Sequence, residues 1–156
     1  MNSTFELDDT DWALLRMLQA HARTTIADAG RSVGLTAPAT AERIRRMEEY
    51  GAIRGYHAAI DLEKIGRPIS AFIRVRFSGG KYDAFERLVE KTTEILECHH
   101  ITGEDCFIVK AAVATMADLE RLASALARFG PTATSVVYST VFDRRVLDRS
   151  IATQMT

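Results

Sequence analysis

Over the first fifty positions the apolar residues recur at helical spacing, and beyond residue 70 they begin to alternate, so periodicity divides the chain into a helical part and a mixed part. Trp12, Leu15, Leu18 and Ala22 mark the buried face of a first helix, which Asp8, Asp9 and Asp11 open at its positive dipole end. Thr25 and Asp28 have capping-box spacing and start a second helix that reaches about Val33. Gly34 suits a left-handed helix end, Thr36 an N-cap, and Pro38 a first turn in which no intrahelical N–H is lost. In the third helix Ile44 and Met47 share a face, while Arg43, Arg45 and Arg46 spread over the rest until Gly51 ends it. This predicts a helix-turn-helix with a basic recognition helix; taken alone, the stretch also fits a solvated Arg-rich helix. Ile53, Tyr56 and Ile60 around Gly55 predict a wing of two short strands.

Residues 61–67 carry charge and Gly66 without a period, and read as a linker between a 1–60 domain and a 68–156 domain. Beyond it Ile73, Val75 and Phe77 alternate with Arg74 and Arg76 as a half-buried strand, broken by Ser78-Gly79-Gly80. Tyr82, Phe85, Leu88 and Val89 mark a helix to about Thr93. Strands follow at Ile95–Thr102 and Cys106–Ala114 around the tight turn Gly103-Glu104-Asp105. Thr115 and Asp118 open a helix with Leu119, Leu122, Ala123 and Leu126 inward, Gly130-Pro131 ends it, and Thr134–Phe142 is a last strand. The fold class is therefore α+β: a winged helix-turn-helix followed by a ferredoxin-like βαββαβ unit whose helices cover one sheet face. The other face needs a cover, and a second copy of the chain is the expected one.

Charge and composition narrow the function. A formal net charge of −1 and a pI near 6.4 confine any DNA contact to a local basic patch. The N-terminus has neither a basic start nor an apolar run, and no stretch approaches the roughly 20 apolar residues of a membrane span. Two cysteines fit a reducing compartment, so the expected location is cytoplasmic.

Motifs in both halves then converge. Leu7-Asp8-x-x-Asp11, Val33-Gly34-Leu35-Thr36, Glu42-Arg43-Ile44-Arg45-Arg46-Met47-Glu48 with Gly51-x-Ile53-x-Gly55-Tyr56, Glu97-Cys98-His99 and Thr102-Gly103-Glu104-Asp105 stand in the order of the Lrp/AsnC transcriptional regulators, which this chain resembles from Leu7 to Phe142. The resemblance implies binding of double-stranded DNA, and a C-terminal RAM-type domain that binds an amino acid or related small molecule between subunits. It implies a homodimer assembling to an octamer, without cofactor. On the family's recognition helix Thr36, Ala37, Ala39 and Thr40 would meet base edges or phosphates, with Arg43, Arg45 and Arg46 contacting backbone or guanine. The effector site would draw on Gly103, Glu104, Asp105 and Cys106, with Tyr138, Ser139 and Thr140 of the last strand and a neighbouring subunit. Many members carry Asp where this chain has Cys106, so an acidic partner for an effector's amino group is either missing here or supplied by Glu104 or Asp105.

Other chemistry is thinly supported. Cys98 and His100 would face one way along a strand and His99 the other, so these three cannot close on one metal ion. No Gly-rich phosphate loop, Ser/His/Asp order or CxxC motif is present. The competing readings are an enzyme resembling the sirohaem decarboxylases, for which His99-His100 is the suggestive feature, and a metabolite-binding module that acts without DNA.

Overall fold

A computed structural model describes residues 6–77, 82–104 and 106–152, in two compact units: Met1–Ala59 with Phe142–Thr156, and Ile60–Val141. The predicted break at Ser78-Gly79-Gly80, and Asp105 in the tight turn, lie outside the described residues. The 142–156 segment groups with the helices, whereas the sequence-based division placed it with the second domain.

The helical unit contains α1 (Asp9–Ala20), α2 (Ile26–Val33) and α3 (Ala37–Tyr50). Local capping explains each start. Asp8 and Asp11 form a reciprocal capping box on α1, Thr25 caps α2 and Thr36 caps α3. Gly34 and Gly51 close α2 and α3 with φ of 69° and 84°, in the left-handed region where glycine carries no Cβ penalty. Leu14, Leu18, Ala29, Ile44 and Met47 form the core. The buried stripe of α1 is Asp11, Leu14 and Leu18. Trp12 and Leu15 are half-buried and Ala22 is exposed, so the helix is rotated from the face that its apolar residues alone predict. The cause is polar: Arg43 of α3 draws the Asp11 carboxylate inward.

No strand forms over residues 52–60, so the predicted two-stranded wing is corrected to a segment without regular secondary structure. It is tied to α3 by Ile53 N–H donating to Met47 O at 3.1 Å and Tyr56 Oη donating to Glu48 Oε1 at 2.8 Å.

The second unit contains β1 (Ile69–Val75), α4 (Tyr82–Lys91), β2 (Ile95–His100), β3 (Phe107–Val113), α5 (Met116–Leu126) and β4 (Thr132–Val136). The sheet is antiparallel in the order β2-β3-β1-β4, the ferredoxin-like arrangement. Alternation in β1 buries Ala71, Ile73 and Val75 and exposes Phe72 and Arg74. The buried row meets Phe85 of α4 and Leu119, Leu122 and Leu126 of α5 in one apolar core. A bulge between Ile95 and Glu97 resets the phase of β2, so that Ile95 and Cys98 both pack against that core. β4 ends at Val136, well short of the predicted Phe142.

Candidate nucleic-acid interface and effector turn

The turn between α2 and α3 is tight because Gly30 has no side chain. A Cβ there would stand 2.7 Å from Leu35 O and 2.8 Å from Thr40 Oγ1. Leu35 N–H donates to Gly30 O at 2.8 Å, fixing the approach from the other side. Thr40 is consequently fully buried and donates its hydroxyl to Thr36 O at 2.9 Å. It is a packing residue, and the sequence-based placement of Thr40 at base edges is corrected. Thr36 holds the Ala39 N–H with its own hydroxyl, while Ala37 and Ala39 are exposed and small enough to let α3 approach a groove closely.

The three arginines have different surroundings. Arg43 Nη1 donates to Asp8 Oδ2 at 2.7 Å and to Asp11 Oδ1 at 2.9 Å, which links the start of α1 to the middle of α3. Asp11 is 5% exposed, so Arg43 is the counter-charge of a buried carboxylate. The Asp8 carboxyl is held below its usual range, chiefly by the Asp11 backbone N–H it accepts and further by Arg43, and the Arg43 pKa is raised by Asp8 and Asp11. Arg45 is exposed and pairs with Glu42 at 2.6 Å and with Glu49. Arg46 is exposed on the same helix. Of the predicted contacts, the structure leaves Ala37, Ala39, Arg45 and Arg46 exposed, and uses Thr40 and Arg43 to hold the helix.

The effector candidates fall in two places. Gly103, with φ 113°, and Glu104 lie in the β2–β3 turn, where Glu104 accepts from Arg76 at 2.6 Å. Half-buried Cys106 closes the turn: its N–H donates to Val75 O at 3.0 Å, and Ile101 N–H donates to Cys106 O at 2.8 Å. Phe77, Phe85, Phe107 and Phe129 pack edge-on or stacked beneath this end of the sheet, and His100 stacks on Phe107 at 4.8 Å. Tyr138, Ser139 and Thr140 are not in the last strand, and all three are exposed. They follow Val137, whose N–H donates to Ser70 O at 2.9 Å, at the opposite end of β1 from Val75. Five residue steps along β1, roughly 17 Å, separate the two anchor points. One chain does not bring them together.

His99 lies 3.3 Å from Glu97, and Lys110 donates to Glu97 at 2.9 Å; Glu97 is held below its usual pKa chiefly by Lys110. Cys98 is pushed up by burial. Among the described residues no group of three His, Cys, Asp or Glu side chains is placed to hold a metal, and no helix is long and apolar enough to cross a membrane.

Comparison with known proteins matches both units. Residues 7–48 match the AsnC-type helix-turn-helix domain, and residues 70–147 match the Lrp/AsnC ligand binding domain. The HTH-type regulator YezC of Bacillus subtilis is 33% identical over 85% of this chain and 94% of its own length. The chain belongs to the Lrp/AsnC family. Another family member, the HTH-type transcriptional regulator LrpA of Mycobacterium tuberculosis, is 32% identical over 86% of this chain and 89% of itself. The Lrp/AsnC fold is matched by the transcriptional regulator NMB0573 of Neisseria meningitidis, solved as an L-Met complex. It superposes with a TM-score of 0.85 at 27% identity, over 94% of this chain and 99% of that one. Within this family architecture, sequence reasoning missed Gly30 and the buried Asp11. A glycine before a helix-turn-helix turn is the one signal that could have flagged Gly30.

Proposed function

We propose that this chain regulates transcription by placing α3 in the major groove of duplex DNA, and that an amino acid or related metabolite bound between copies of the chain alters its hold on DNA. The single observation that carries the DNA reading is that Ala37, Ala39, Arg45 and Arg46 are exposed on a helix locked by caps, Thr40 and Arg43. One such helix buries too little surface for specific binding, so the working unit is a homodimer, assembling further to an octamer. The effector reading is supported by the separation of the two candidate groups along β1, which only a second copy can bridge, and by the L-Met complex of NMB0573. An amine on the effector would meet Glu104, released from Arg76, since position 106 carries a cysteine and no carboxylate. The chain is read as non-catalytic, and the cytoplasm is the compartment in which this function operates.

Gel-shift titration with the DNA upstream of the chain's own and adjacent genes tests this. Retardation at low salt that weakens with a clearly negative log–log salt slope, and whose midpoint moves when L-amino acids are added, is the expected result. No retardation at low salt overturns the DNA reading; retardation indifferent to every amino acid overturns the effector reading alone.

A further inference from the structure

The C-terminal segment makes contacts that neither the DNA-facing helix nor the effector turn uses. Although it follows the last strand of the sheet unit, it groups with the helical unit. The contact reads backbone directly: Gln19 Nε2 donates to Leu147 O at 2.9 Å, and Leu147 N–H donates to Gln19 Oε1 at 3.0 Å. One carboxamide thus satisfies both polar groups of one residue, as a neighbouring strand would. Two residues on, Arg149 pairs with Asp9 in the first turn of α1. Ser150 N–H donates to Asp148 Oδ1 at 2.9 Å, where the chain turns into the short helix α6 (Arg149–Ala152). Arg144 and Leu147 also wall a cavity of about 540 Å³ against Trp12, Leu15, Ile53 and Tyr56.

We propose that Leu147–Arg149 is a docking strap that binds α1 of its own chain through Gln19 and Asp9. The helix-turn-helix then has two ties to the sheet unit, the covalent 61–67 linker and the segment 137–146, which leaves β4 and is held at α1 by hydrogen bonds and an ion pair. The returning ten residues reach at most about 35 Å when fully extended. While the strap is docked, α1 cannot move farther than that from the end of β4; a rearrangement that needs more distance must first release it. Leu147 is half exposed and the Gln19 bonds lie at the surface, so the contact is one that releases without unfolding either unit.

Two measurements on the full-length protein test the strap. Native-state hydrogen exchange should show the Leu147 amide exchanging at least tenfold faster in Gln19→Ala than in the parent, with the circular dichroism melt of the two proteins alike; equal rates overturn the contact. In a background of Cys98→Ala and Cys106→Ala, the pair Gln19→Cys and Leu147→Cys should oxidise to a species that runs as a monomer on a denaturing gel. A cross-linked dimer, which would mean that a second copy supplies the strap, or no cross-link at all, overturns docking within the chain. Neither readout involves DNA or an effector, so failure here is distinct from failure of the regulatory reading.

Discussion

Among the described residues the sheet unit closes on twelve buried apolar residues drawn from two strands and two helices, with Phe77 just past β1, whereas the helical unit has five. The smaller unit supplements them with directional contacts: a reciprocal capping box, two threonine caps, the Arg43 link to Asp8 and Asp11, the Gly30 close approach and the Tyr56 tie to Glu48. The two buried polar side chains among the described residues, Asp11 and Thr40, both belong to it. Apolar fill tolerates small shifts of angle, while hydrogen bonds and ion pairs do not. The unit that must present a helix at a set angle is the one built from directional contacts. The unit that must hold a sheet rigid is built from area.

The comparison breaks first if the sheet unit withstands a cavity. Leu122→Ala should destabilise it by about 3 kcal/mol, read by urea unfolding, since Leu122 is fully buried beneath the sheet. A cost under about 1 kcal/mol would remove area as its organising cause. In the helical unit Arg43→Ala should cost about 2 kcal/mol, because it strands the buried Asp11 carboxylate; the partial exposure of Arg43 keeps the figure below that of a fully buried pair. In a DNA titration the same variant should weaken binding with its salt slope nearly unchanged, whereas Arg46→Ala should flatten the slope by about one unit. An unchanged protein stability together with a flattened slope for Arg43→Ala would make it a phosphate contact after all. Gly30→Ala should cost about 1–2 kcal/mol, because the clash is with the Leu35 carbonyl, which cannot swing aside, as well as with Thr40.

Acid provides a gentler test. The folded pKa of Asp8 is lowered, so its stabilisation is present above its ordinary value of 3.8 and is lost as pH falls through the lower folded value. The stability gap between the parent and Asp8→Ala should therefore be flat near neutrality, about 1 kcal/mol as for other caps, and shrink only below about pH 4. The smallest effect is spectroscopic. Burial, and then the Glu48 carboxylate, raise the Tyr56 phenol to about 12, so an alkaline absorbance titration should show one tyrosine ionising late, and Glu48→Ala should bring it earlier. Its neutral form is the one the fold prefers, so this tie loosens only as pH climbs past 10 toward 12.

What the sequence made legible follows the same division. Thr25, Thr36, Thr115, Gly34 and Gly51 cap helices through contacts within four residues, so their roles could be read without a fold. The alternation of β1 was equally local. Asp11 could not be read as buried, because the arginine that draws it in lies 32 positions away. Thr40 looked like a reading residue until Gly30 let the two helices close on it. The β2 bulge, the early end of β4 and the return of the C-terminal segment likewise depend on partners distant in sequence. Hence the elements and their order were available beforehand, while the assignment of α3 side chains to reading or holding was not.

The Arg45 guanidinium already sits between two carboxylates of its own helix, Glu42 and Glu49. Any anion that reaches it must outcompete these resident ligands, which imitate a phosphate at high local concentration. In the proposed complex a random stretch of backbone would offer the arginine nothing that it does not already have, while a site that also accepts the start of α3 and Arg46 would displace them. In the proposed DNA complex the glutamates would act as a filter against casual encounters, and neutralising them should bind more sequences rather than bind one sequence better.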